Sequence, residues 1–83
     1  MGLNTDLTNL KAFQTSVAND GGLAAVQTDT QHAVNDLTAQ VNALSGDLTT
    51  ITNLKAALTT DGANATVLAD VTAIITDLTA QLS

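Results

Sequence analysis

The residues of this chain that could do chemistry are few, and they center on its one histidine. Asp29 lies three residues before His32 and Asp36 four residues after it. On a helix this spacing puts all three side chains on one face, which a metal site needs. The second half of the chain repeats the carboxylates as Asp70 and Asp77 but has Ala73 in place of the histidine. A repeat that keeps the acids and drops the only nitrogen ligand reads as a solvated polar face, so no metal ligand is expected. There is no cysteine, no arginine and no second histidine, hence no triad, thiol nucleophile, zinc cluster or phosphate clamp. The Asp-Gly pairs mark turns, and no aspartate-rich loop has calcium-binding spacing. Asn64-Ala65-Thr66 fits a glycosylation sequon and is read as chance. The expectation is a protein without catalytic residues or cofactors, not an enzyme.

Charge narrows the partners. Eight aspartates against Lys11 and Lys55 give a net charge of -6, leaving little to neutralise phosphates or attract anionic lipid, so nucleic-acid and membrane-surface binding are not expected. No unbroken apolar run reaches the length of a membrane span. The Met-Gly-Leu-Asn start lacks the basic and apolar regions of a signal peptide, so a soluble protein is expected.

The elements that carry these residues repeat. Asn9-Leu10-Lys11-Ala12 returns as Asn53-Leu54-Lys55-Ala56, Asp20-Gly21 as Asp61-Gly62, and the pentapeptide from Asp36 to Gln40 as that from Asp77 to Gln81. The first pair is offset by 44 positions and the others by 41. This reads as one domain, 1–83, built from an internal duplication of about 3–44 and 47–83, with three residues lost from the second copy and the two lysines equivalent.

Apolar spacing is helical throughout. Leu3, Leu7, Leu10 and Val17 form one stripe; Val34, Leu37, Val41 and Leu44 a second; Leu48, Ile51, Leu54 and Leu58 a third; Val67, Val71, Ile74, Ile75, Leu78 and Leu82 a fourth. Asp20, Gly21 and Gly22 predict one reversal, and Asp61 and Gly62 another. Gly46 leaves two architectures open. As a turn, it makes two tandem helical hairpins and a small four-helix bundle. As an interior residue, it lets the alternation of three and four run on, giving an elongated antiparallel coiled coil with a long central helix; a mid-helix glycine costs only about 1 kcal/mol relative to alanine. Either way the fold is all-α.

Fifteen threonines and seven asparagines are mediocre helix formers, so packing must hold these helices. With one aromatic residue the monomer core is thin, and a homo-oligomer or docking on a larger protein assembly is expected to supply further burial. Asp-Leu-Thr occurs at Asp6, Asp36, Asp47 and Asp77; each leucine falls on a stripe, which leaves the aspartate and threonine on its borders.

The stretch from Asp36 to Ile51 resembles the short helical proteins rich in Ala, Thr, Leu and Asp found among bacteriophage structural and accessory proteins. That resemblance implies a head fibre, capsid decoration or small tail component, virion-associated, with no catalytic or binding residues to carry over. The leading reading is therefore a structural or assembly protein acting through helix packing with itself or a host lattice. The alternative is a soluble acidic adaptor or inhibitor for one protein partner.

Overall fold

The computed structural model describes residues 2–21 and 23–83. These form three helices: α1 (Leu3–Asn19), α2 (Ala24–Asp61) and α3 (Ala65–Leu82). No strand occurs among the described residues. α2 is unbroken through Gly46, so the four-helix bundle does not form and the elongated arrangement does. At about 1.5 Å per residue its 38 residues span about 57 Å, matching the 59 Å long axis of a slab whose other extents are 17 and 11 Å. α1 runs antiparallel along the N-terminal half of α2, and α3 antiparallel along the C-terminal half.

The two reversals follow the sequence locally. Gly21 and Gly62 adopt positive φ, 73° and 81°, the left-handed conformation in which a side chain is disfavoured. After α2, the Gly62 amide donates to the Thr59 carbonyl and the Ala63 amide to the Leu58 carbonyl, closing the helix in the six-to-one pattern of a glycine cap. The turn expected at Gly22 lies outside the described residues. Gly46 is no turn: it sits inside α2, and a Cβ there would meet nothing within 4 Å.

One seam holds the slab. Along α2 the residues Thr30, Val34, Leu37, Val41, Leu44, Leu48, Ile51, Lys55 and Leu58 are all buried or half-buried, and they step by four and three without interruption. α1 answers with Leu3, Leu7, Leu10, Gln14 and Val17, and α3 with Leu68, Val71, Ile75, Leu78 and Leu82. This is the a/d spacing of a coiled coil. The threonines fit because their hydroxyls turn back onto their own helices: Thr30 Oγ1 donates to the Val26 carbonyl at 2.9 Å, and Thr38 Oγ1 to the Val34 carbonyl at 2.7 Å. In all four Asp-Leu-Thr segments the leucine is half-buried and the threonine makes the same bond one turn back.

Three positions expected on the stripes lie off this seam. Leu54, Val67 and Ile74 are exposed, each one residue before a seam position. The placement of Leu54 also corrects the repeat. Leu10 is in the seam and Leu54 is not; the position equivalent to Leu10 is Ile51, and the position equivalent to Leu54 is Phe13, likewise exposed. A single offset of 41 therefore relates the two halves along their whole length, with no lost residues. The shared Asn-Leu-Lys-Ala is not structurally equivalent, since Lys11 is exposed and Lys55 half-buried in the seam.

The halves are related by an approximate twofold rotation normal to the slab. Opposite the middle of α2, the start of α1 abuts the end of α3: Thr5 Oγ1 donates to the Ser83 carbonyl at 2.9 Å. Thr5 and Ser83 are equivalent to Gly46 and Asn42, which lie one turn apart in α2. A hydroxyl thus bridges the gap that continuous backbone spans on the other side. A Cβ on Gly2 would fall 2.5 Å from the Ser83 carbonyl carbon, so glycine is what lets the two ends meet.

Candidate interaction faces

With a and d in the seam, the neighbouring heptad positions fall on opposite faces of the slab, e and b on one side and g and c on the other. Antiparallel packing brings like positions of the two columns to the same face. Groove geometry agrees. One open groove of about 360 Å³ is lined by Gln14, Thr15, Val17, Ala18, Gln27, Thr30 and Gln31. The other, about 610 Å³, is lined by Lys55, Leu68, Ala69, Thr72, Ala73, Thr76 and Asp77. Gln14, Gln27 and Gln31 are the equivalents of Lys55, Leu68 and Thr72, so the two grooves share these places on the e/b side; the second extends around α3 to Ala73 and Asp77.

Away from Lys11, and from Lys55 and Asp77 in the larger groove, that face is uncharged and built of small residues. Its helical e and b positions hold only Ala, Ser, Thr, Asn and Gln, such as Thr8, Ala18, Asn35, Thr49, Ala56 and Thr72, with Lys11 the one charge at these positions. Many hydroxyls here donate to their own helix, as Thr49 does to Ser45 and Thr72 to Leu68, which leaves methyl groups and amides outermost.

The opposite face differs in both polarity and charge. Phe13, Val26, Leu54, Val67 and Ile74 all occupy g positions. Together they are every large apolar side chain exposed within a helix among the described residues, with Phe13 58% and Ile74 48% accessible. All eight aspartates lie at g or c on this same face: Asp6, Asp20, Asp47 and Asp61 at g, and Asp29, Asp36, Asp70 and Asp77 at c. By register the apolar g residues fall into two groups, Phe13, Val26 and Ala33 towards one end and Leu54, Val67 and Ile74 towards the other, and the twofold relation exchanges them.

The histidine constellation is resolved by the same register. Asp29, His32 and Asp36 do share the outward side of α2, and all are exposed. Among the described residues no three His, Cys, Asp or Glu side chains converge in a way that could hold a metal ion. Helix α3 shows a property that a search for unbroken apolar runs misses: its 18 residues have a mean hydropathy of 1.3, long and apolar enough to cross a membrane. Within the slab it is amphipathic, with Val71 and Leu82 buried and Asp70 and Asp77 exposed.

The expected stripes and the seam share residues such as Leu7, Val34, Leu37, Leu48 and Ile75, but the stripes included Leu54, Val67 and Ile74, omitted Thr30 and Lys55, and said nothing of the faces. The signal was present, since Phe13, Leu54, Val67 and Ile74 each precede a half-buried seam position by one, but it needs the register of both columns to be read. Comparison with protein-family models, with curated proteins and with solved structures finds no match for this chain.

Proposed function

We propose that this protein is a non-catalytic structural or assembly protein that works by helix packing through its g/c face. The observation that carries this reading is the segregation of exposed apolar side chains onto that face. A compact monomer of 8.4 kDa exposes about 4,600 Å², whereas this chain exposes 5430 Å², and among the described residues Val34, Val71 and Leu82 are the only buried large apolar side chains, none of them completely so. Surface left open in this way is the ordinary signature of an interaction site. The resemblance to small phage proteins extends the proposal to a virion component such as a capsid decoration, fibre or tail accessory.

In this reading α3 is a packing helix and not a membrane span, because Asp70 and Asp77 would each cost several kcal/mol near a bilayer center. Nucleic acid is not a partner, since the apolar face carries all the acids. The second reading, an acidic helical adaptor or inhibitor for one protein, is favoured by the placement of the aspartates at g and c positions beside the exposed apolar residues. Sedimentation with interference optics across a wide concentration range, alongside helicity by circular dichroism, tests the proposal; interference is needed because the chain has no Trp or Tyr. Mass rising to a discrete multiple supports self-assembly. A fully helical monomer at every concentration moves the adaptor reading to the front.

A further inference from the structure

We infer that the occupant of the g/c face is a basic amphipathic helix of another protein, one whose apolar ridge is flanked by lysine or arginine. This deepens the interaction reading above and rests on it. Two properties of the face choose the occupant. First, the exposed g residues of the two columns line the furrow between them, and a helix lying in that furrow touches both columns at once, as helix-in-groove recognition requires. The apolar anchors occur as two clusters, around Val26 and around Leu54 on α2, 28 residues apart and so about 42 Å along the axis.

Second, charge selects the partner. The eight aspartates border this furrow along both columns, whereas Lys11 and Lys55 lie at e and a. A second copy seated face to face would bring all eight aspartates of each chain together across a partly desolvated interface, and like charges so placed strongly disfavour a pairing. Anionic membrane is disfavoured for the same reason. A helix with a cationic border meets the apolar clusters and the acids together, and its approach is accelerated electrostatically.

The test uses the full chain and a defined probe, a synthetic 28-residue peptide of leucine and lysine with leucines at i, i+3, i+4 and i+7. Controls are the same pattern with glutamate for lysine, and a lysine-serine peptide of equal charge. Titration calorimetry is expected to show one-to-one binding of the leucine-lysine peptide, weakened by added salt, and no binding of either control. The doubly substituted chain Leu54→Gln/Ile74→Gln, altered only at exposed sites, should keep its helicity and bind about tenfold or more weakly. Equal binding by this variant, or by the lysine-serine peptide, overturns the inference, because contact would then be charge alone. Self-association through the same residues, seen as a discrete oligomer that the double substitution abolishes, overturns the basic-helix occupant while leaving the assembly reading intact. Flotation with zwitterionic vesicles in place of peptide binding overturns both.

Discussion

The two halves of the slab share a backbone plan and differ in what fills equivalent seam positions. In the C-terminal hairpin, Lys55 lines a groove with Leu68 and Thr72, beside the buried Val71 of the seam; in the N-terminal hairpin the equivalent places hold Gln14, Gln27, Gln31 and Thr30. Val71 and Thr30 are both buried, at 5% and 8% accessible. The polar layer is satisfied internally: Gln14 Nε2 donates to Gln31 Oε1, Gln31 Nε2 donates to Asn35 Oδ1 at 2.8 Å, and Thr30 bonds to its own helix. No buried side-chain nitrogen or oxygen among the described residues lacks a partner. Hydrogen bonds of this kind contribute about 1 kcal/mol net at best, less than burying an apolar side chain of similar size. One half is thus built for burial and the other for a polar register, with packing stability concentrated around α3.

The sharpest way to break this comparison is to cut back the same site in both halves. Val71→Ala should lower the unfolding free energy by about 2 kcal/mol, whereas Thr30→Ala should cost under about 1 kcal/mol, because only a self-bonded hydroxyl and one methyl are lost. Urea denaturation followed by circular dichroism reads both, and equal losses would mean that the halves are energetically alike.

A second contrast lies at the helix starts. Asn64 and Leu23 are equivalent N-cap residues with similar extended backbone, but Asn64 Oδ1 accepts a hydrogen bond from the Val67 amide at 3.0 Å while Leu23 makes no side-chain cap and is 77% exposed. Leu23→Asn should therefore stabilise the chain by about 1 kcal/mol, which raises Tm by roughly 4–8 °C for a domain of this size. Asn64→Leu should cost a similar amount. A fall in Tm for Leu23→Asn would show that this leucine packs on something.

Gly46→Ala comes next, with an expected gain of about 0.5–1 kcal/mol from helix propensity at a site open to a Cβ. A loss of stability in thermal melts would argue for a turn there. The smallest effect is expected for Lys55→Gln, which imports the residue of the other half: a change within about 0.5 kcal/mol, since the lysine contributes mainly its aliphatic stem to the seam. A large loss would give Lys55 a role beyond packing.

How much of this could be read from residues alone depended on whether one helix or two were needed. The steps of three and four from Val34 to Ile51 were legible because they lie within one helix, and they already ran through Gly46; what they could not weigh was the small cost of glycine against the seam it leaves intact. The Asp-Gly reversals were legible because positive φ selects glycine locally. Leu54, Val67 and Ile74 were read as stripe residues because a count of apolar positions does not distinguish a from g, a difference set by the partner helix. The four-residue match at Asn9 and Asn53 pulled the repeat out of phase, and only the burial of Leu10 and Ile51 restores it. The candidate site, a face carrying every aspartate and the exposed g residues, emerges once the two columns are set side by side.

The central claim is that α2 is one continuous helix along which the other two lie end to end, since both faces follow from that register. With no native cysteine, the exposed pair Thr28→Cys and Thr59→Cys can be spin-labelled and diluted into unlabelled protein for a pulsed-dipolar distance measurement. Thirty-one residues of unbroken helix predict a distribution centered near 47 Å. A chain folded back at Gly46 would bring the two labels to within about 25 Å, and that result would contradict the account.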